Sequence, residues 1–203
     1  MKTPVPLRPL AHADYLTMRE GARVMEADRH GDKVLHLPDG TYFKLFRRKR
    51  RLSSAAWYPY VRRFADNTRA LQRLGIPCPR VIALYRIAEI ERDLVHYAPL
   101  EGETVRRLVA AGLPEERAAP LRRQLLDFVA HLHRLGIYFR SCHLGNIVLT
   151  PDGELGLIDL ADLQVCRRSL GFFRRRRNYR HILRDARDRD WLRLDPAWAA
   201  LCR

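Results

Sequence analysis

Residues 139–162 read FRSCHLGNIVLTPDGELGLIDLAD, a stretch whose centre is a turn between two short apolar runs. Ile147, Val148 and Leu149 lead into TPDG (Thr150–Gly153), and Leu155 to Ile158 lead out of it. Pro, Asp and Gly at the connection supply turn chemistry, so the segment is expected to close as a hairpin. Asn146 immediately precedes the first run and Asp159 immediately follows the second, which carries both side chains to the open end of that hairpin. An amide oxygen and a carboxylate are hard donors, suited to a Mg²⁺ ion that also takes oxygens from phosphates. An ordinary hairpin with Asn and Asp as flanking turn residues has the same spacing.

Upstream, Glu115–Leu135 has helical periodicity, with Leu121, Leu125, Phe128, Val129 and Leu132 on one stripe and Gly136 as its stop. A shorter helix is expected over Thr104–Ala111, after the connector PLEGE (Pro99–Glu103). His131 and His133 sit two apart on the longer helix, which does not bring them to one face for metal binding. Downstream, the tail from Arg167 carries RRRR (Arg174–Arg177) and then Ile182, Leu183, Trp191, Leu192 and Trp198 among charges, the pattern of short amphipathic helices.

The amino-terminal half reads differently. Arg23–Ala27, Lys33–Leu37 and Thr41–Phe46 are strand-like runs separated by DRHGD and PDG, a three-stranded antiparallel meander, with Leu10–Gly21 as a weak lead-in. Tyr60, Phe64, Asn67 and Leu71 recur at helical spacing within a helix expected over Ala55–Leu74, with Pro59 in its first turn and Gly75 after its end. IPCPRVIALYRI and RDLVHYAPL add two strands and make a five-stranded sheet. Lys44 falls on a central strand between aromatic and aliphatic neighbours, where an ammonium must reach water or find an anion.

Composition bounds the partners. The chain has 203 residues, 47% of them apolar, and 38 Lys and Arg against 23 Asp and Glu, a formal charge of +15. A core is affordable at this length, and the charge points to an anionic partner: nucleic acid, an acidic lipid surface or a phosphorylated substrate. Arg47–Arg51 (RRKRR) and Arg174–Arg177 concentrate it. The four cysteines show no CxxC pair and no zinc-ligand spacing, so they read as reduced thiols. Neither an apolar signal region nor a stretch of membrane-spanning length appears, and the expectation is a cytoplasmic protein able to lie against the inner membrane.

The order of strand lysine, helix, PLEG connector, LHRLG, Asn-ended loop, hairpin and Asp resembles the protein-kinase-like fold over most of the chain. Within it, FRSCHLGNIVL, LIDLADL, SSAAWYPYVRRFADN and RRNYRHILRD resemble the bacterial kinases of lipopolysaccharide core sugars, the Kdo and heptose kinases with the toluene tolerance proteins. The resemblance implies an α+β, bilobal chain: residues 1–98 as a small antiparallel-sheet lobe with one helix, and 99–203 as a mainly helical lobe with the catalytic hairpin. It further implies ATP and Mg²⁺ as cofactors, Lys44 on the α- and β-phosphates, and Asn146 and Asp159 as metal ligands, with a core sugar or other anionic glycolipid as acceptor.

Phe139, Arg140 and Ser141 stand at the His-Arg-Asp positions of that fold, so a serine replaces the residue that accepts the substrate proton. His143 occupies the place of a lysine facing the γ-phosphate and is a candidate to accept the proton or, protonated, to stabilise phosphate charge. DRHGD has one glycine where a glycine-rich loop is expected, and Asp66 is the single acidic residue of the expected helix. Three readings follow: a sugar kinase using Ser141, His143 and Asp159, a pseudokinase of the same fold, and a nucleic-acid-binding protein resting on charge alone.

Overall fold

The computed structural model describes residues 5–47 and 58–201, which divide between two compact units, Met1–Arg69 with Cys78–Pro99 and Ala70–Pro77 with Leu100–Arg203. The first unit is built on β1 (Leu7–Pro9), α1 (His12–Met18), β2 (Arg23–Asp28), β3 (Gly31–His36), β4 (Tyr42–Arg47), β5 (Arg80–Ile87) and β6 (Arg92–Ala98). The meander forms as expected, but the sheet has six strands in the order β1-β5-β6-β4-β3-β2. The extra strand comes from LRP ahead of the expected lead-in and pairs parallel to β5, with Leu7 opposite Leu84. Pro9 cannot donate to a ladder, which confines such a segment to the sheet edge it occupies and hides it from a pattern search. The lead-in itself is α1, so among the described residues two helices rather than one accompany this sheet.

Strand alternation separates the two faces of β4. Phe43 and Leu45 are buried and join Leu35, Leu37, Ile87, Leu94 and Tyr15 of α1 in one core. Tyr42, Lys44 and Phe46 therefore point to the opposite face. There Tyr42 stacks on Tyr97 and Phe46 on Tyr60, and Phe64 meets Tyr97 at 5.5 Å between ring centroids. The helix α2 (Tyr60–Arg73) presents Val61, Phe64, Ala65 and Leu71 at helical spacing, all buried. It begins at Tyr60, with the Pro59 carbonyl accepting from Arg62 and Arg63, and Gly75 follows it at φ 72°. Residues 48–57, which include most of RRKRR and the expected start of this helix, lie outside the described residues.

The second unit is organised around α4 (Glu115–Arg134), whose Leu121, Leu125, Val129 and Leu132 are buried. Phe128, expected on that stripe, is only half-buried. Arg122 is buried on the same helix. It pairs with Glu115, lies 5.1 Å from the Trp191 ring centroid, and its carbonyl accepts from Trp198 Nε1 at 2.8 Å. That cluster ties α6 (Ala186–Leu192) and α7 (Pro196–Leu201) to α4. The same unit also holds β7 (Glu103–Thr104) and α3 (Val105–Ala110) ahead of α4, and β8 (Ile137–Phe139), β9 (Ile147–Leu149), β10 (Leu155–Leu157), β11 (Leu163–Val165) and α5 (Phe172–Ile182) after it. Among the described residues no helix is long and apolar enough to cross a membrane.

Candidate active site

The expected hairpin is β9–β10, with Ile147 opposite Leu157 and Leu149 opposite Leu155. Its turn closes through Thr150 N to the Glu154 carbonyl at 2.9 Å and Gly153 N to the Thr150 carbonyl at 3.0 Å. At the open end Ile158 N donates to the Asn146 carbonyl at 3.0 Å, so the ladder holds the backbone beside Asn146 and Asp159 together. Gly156 makes this packing possible. A Cβ there would sit 2.6 Å from the Pro77 carbonyl oxygen, which also accepts from Leu157 N at 2.9 Å.

Each candidate ligand has a distinct local setting. Asn146 ends a one-turn 3₁₀ segment, Leu144–Asn146, and its Nδ2 donates to the Ser141 carbonyl at 2.9 Å. That bond fixes the amide and leaves Oδ1 as its donor atom for a cation. Asp159 adopts left-handed backbone at φ 56° and ψ 54°, a conformation uncommon for a side-chain-bearing residue and one that clusters at functional sites. One amide oxygen and one carboxylate form a hard, oxygen-only pair that suits Mg²⁺, an ion that completes its shell with water and phosphate oxygens. Among the described residues no group of three or more His, Cys, Asp or Glu is placed to hold a metal, so the fit rests on those two.

Ser141 is not alone at its position. Its Oγ donates to Asp162 Oδ2 at 2.5 Å, and Asp162 reaches it from the 3₁₀ turn Leu160–Asp162 directly after Asp159. Burial pushes the Asp162 carboxyl above the ordinary aspartate range; the Ser141 hydroxyl opposes that rise and the Asp159 charge adds to it. Asp162 Oδ1 is buried without a hydrogen-bond partner among the described residues. The spacing of LIDLAD contained this residue, but only the turn shows that it meets Ser141.

His143 lies between Ser141 and Asn146, with its ring against Gly145. A Cβ on Gly145 would stand 3.2 Å from both His143 Nδ1 and Arg106 Nη1. Burial, then the Arg106 guanidinium, holds the imidazole below its ordinary range, so it is neutral at pH 7. Of the two roles open to His143, the neutral acceptor fits this setting. Cys142 is fully buried and burial pushes its thiol up to about 12, the state of a packing residue rather than a nucleophile.

Two residues with no local sequence signal hold the loop. Arg106 of α3 makes a forked pair with the buried Asp188 of α6, Nε to Oδ1 at 3.0 Å and Nη2 to Oδ2 at 2.6 Å. Asp188 Oδ2 also accepts from Leu144 N at 3.1 Å, so a tail helix pins the backbone two residues before Asn146. On the other side Asn178 accepts from His133 at 2.9 Å and donates to the Phe139 carbonyl at 2.6 Å. His133 is thus a buried structural residue, and His131 is exposed.

In the first unit Lys44 sits on β4 opposite Val34 and Val95, with Nζ 5.9 Å from the Phe46 ring centroid. Asp66, the acidic residue of α2, accepts from Tyr58 Oη at 2.8 Å and lies 3.7 Å from Arg69.

The order of elements is a mixed α+β fold with a six-stranded sheet in its amino-terminal part, and the strand lysine and the Asn-hairpin-Asp arrangement stand on the elements that the kinase-like resemblance expects. A human protein described as hormonally up-regulated neu tumor-associated kinase is 27% identical over 172 residues, covering 81% of this chain and 21% of its own length. The sperm motility kinase Tcr mutant form of mouse is 31% identical over 84 residues, covering 40% of this chain and 17% of its own. The chain therefore spans a minor part of the relatives it matches. Among solved structures, the bifunctional kinase-methyltransferase WbdD aligns with a TM-score of 0.46 at 18% identity, over 66% of this chain and 30% of that one. No family model matches the sequence.

Proposed function

We propose that this chain is a Mg–ATP-dependent phosphotransferase acting on a sugar hydroxyl of the lipopolysaccharide core, at the cytoplasmic side of the inner membrane. The observation that carries the reading is the Ser141–Asp162 hydrogen bond, which sets a carboxylate behind the serine in the loop that ends at Asn146. The core-sugar acceptor rests on the motif resemblance of FRSCHLGNIVL and LIDLADL.

Asn146 and Asp159 would hold the metal, and Lys44 would orient the nucleotide phosphates. When bound, Mg–ATP supplies the transferable phosphoryl group and the charge neutralisation on which a loose transition state depends. Ser141 Oγ takes the proton of the acceptor hydroxyl while passing its own proton to Asp162 Oδ2. A lone serine is a poor base near neutrality, whereas a carboxylate with a raised affinity for protons is a competent one. His143, neutral at pH 7, lines the same loop and accepts a hydrogen bond from the acceptor or from water.

The second reading is a pseudokinase that binds nucleotide or acts as a scaffold in lipopolysaccharide biogenesis or envelope stress tolerance. It is favoured by Ser141 itself and by the single glycine of DRHGD, Gly31, which opens β3 directly after the β2–β3 turn. Calorimetry of Mg–ATP binding with hydrolysis measured on the same samples separates the two. Binding abolished in Asp159→Ala together with slow turnover supports the kinase, binding without turnover the pseudokinase, and no binding at millimolar Mg–ATP excludes both nucleotide-dependent forms.

A further inference from the structure

The helix α5 begins with two aromatic residues that the fold does not cover. Phe172 is 72% and Phe173 is 83% exposed, and their rings meet edge to face at 5.6 Å between centroids. The next four residues are arginines, and Asn178 and Ile182 bury the opposite side of the helix. Phe173, Arg176, Arg177 and Arg180 recur at i, i+3, i+4 and i+7, so a single exposed stripe carries an aromatic tip followed by guanidinium groups. Phe172 turns toward a neighbouring hollow of about 690 Å³, which it lines with Arg175, Arg176, Arg180, Arg189 and Arg193.

Of the five arginines lining this hollow, most are in no internal ion pair among the described residues. Among the described residues Arg176, Arg180 and Arg193 form no ion pair, while Arg175 donates to the Leu170 carbonyl and Arg189 lies 3.4 Å from Asp190. Phe172 also lines a second, open hollow with Arg167, Arg168 and Arg174. Two exposed phenylalanines flanked on both sides by arginine-lined hollows are costly in water and do not serve α5 packing. Aromatic side chains insert at the boundary between headgroups and acyl chains, and arginines around them meet lipid phosphates. Nucleic acid would use the arginines, but duplex backbone offers no apolar layer for Phe172 and Phe173.

We propose that Phe172 and Phe173 with the surrounding arginines of α5, α6 and the following turn form a docking surface for an anionic lipid bilayer. The aromatic pair enters the interface and the guanidinium groups bind lipid phosphate. This assignment goes beyond the phosphotransferase reading and does not depend on it, because it concerns a surface whose binding requires no nucleotide.

The test is co-sedimentation of the full chain, without ATP, on vesicles of phosphatidylglycerol and phosphatidylcholine and on phosphatidylcholine alone. The expected result is binding to the acidic vesicles only. Replacing Phe172 and Phe173 by serine should weaken it about tenfold. Arg176→Glu with Arg180→Glu should weaken it by roughly 25-fold or more, since each arginine near such a surface contributes about fivefold. Unchanged thermal melts of both variants establish that the loss is local. Equal binding by wild type and both variants, or no binding to acidic vesicles, overturns the proposal. So does tighter binding to duplex DNA that the phenylalanine substitutions leave unchanged.

Discussion

Ser141 Oγ donates to Asp162 Oδ2 at 2.5 Å, joining the loop before β9 to the turn after Asp159. The position that lacks an aspartate in the chain therefore has one in space. Asp162→Asn is expected to retain Mg–ATP binding and lose about 10²- to 10⁴-fold in turnover, the range for removal of a general base. The wild-type rate should fall as acid protonates this carboxylate, and the fall should begin above the ordinary aspartate range because burial raises its proton affinity. A rate equal to wild type in Asp162→Asn, with binding intact, removes Asp162 from the chemistry.

The same burial makes a stability prediction with a definite sign. A carboxyl whose proton affinity is raised on folding stabilises the fold at low pH, and that contribution disappears as pH rises through its folded-state value. At neutral pH the ionised Asp162 is a burden on the fold. Asp162→Asn should consequently raise the melting temperature at pH 7 while lowering turnover, and scanning calorimetry on the sample used for kinetics reads both.

Asp188 is expected to matter more to the fold than its place in the tail suggests. Asp188→Ala strips Arg106 of its forked partner and leaves the buried Leu144 N without its acceptor; because the Arg106 side chain is 41% exposed and keeps its water, the cost is set mainly by the orphaned amide, about 1–3 kcal/mol. Nucleotide affinity should fall with it, because the segment leading to Asn146 loses its anchor. Urea unfolding gives the first quantity and calorimetry the second.

Asn178 uses its oxygen for His133 and its nitrogen for the Phe139 carbonyl, so His133 Nε2 carries the proton and Nδ1 is left buried without a partner among the described residues. Burial holds this imidazole below its ordinary range, with the Asn178 contact opposing. Stability is therefore complete above the unfolded-state histidine value of about 6.5 and declines as pH falls below it, because the unfolded chain takes the proton first. Asn178→Ala should cost about 1–3 kcal/mol at pH 7 by orphaning two buried groups. Chemical denaturation at pH 7 and pH 5 tests both statements.

Gly156→Ala should destabilise the second unit by about 1–3 kcal/mol, since the new methyl meets the Pro77 carbonyl and the Leu100 side chain and β10 must move to admit it. A melting temperature equal to wild type would show that β10 yields freely.

The hairpin, the meander and the long helices were legible because each rests on local periodicity and turn chemistry. The β9–β10 register follows from two apolar runs around TPDG, and α4 from its stripe of leucines. β1 was not legible, since LRP has neither alternation nor length and becomes a strand only because β5 offers an open edge. The contribution of Asp162 was half legible: the residue stands in the quoted motif, but its contact with Ser141 needs the turn after Asp159. Asp188 and Asn178 carried no signal, because what they do is set by packing more than 35 residues away from the loop they hold.

Asp159 keeps a carboxylate on left-handed backbone, a conformation costing an ordinary side-chain-bearing residue roughly 1–2 kcal/mol and aspartate somewhat less. Glycine or asparagine would occupy that place with less conformational penalty and without a buried-edge charge near Asp162. A chain released from phosphoryl chemistry gains stability by drifting to either one, so Asp159 is the position at which decay to a scaffold would first become visible. Under the proposed phosphotransferase reading, that geometry makes residue 159 the position to inspect first when sorting working enzymes from inert descendants among chains that share this loop.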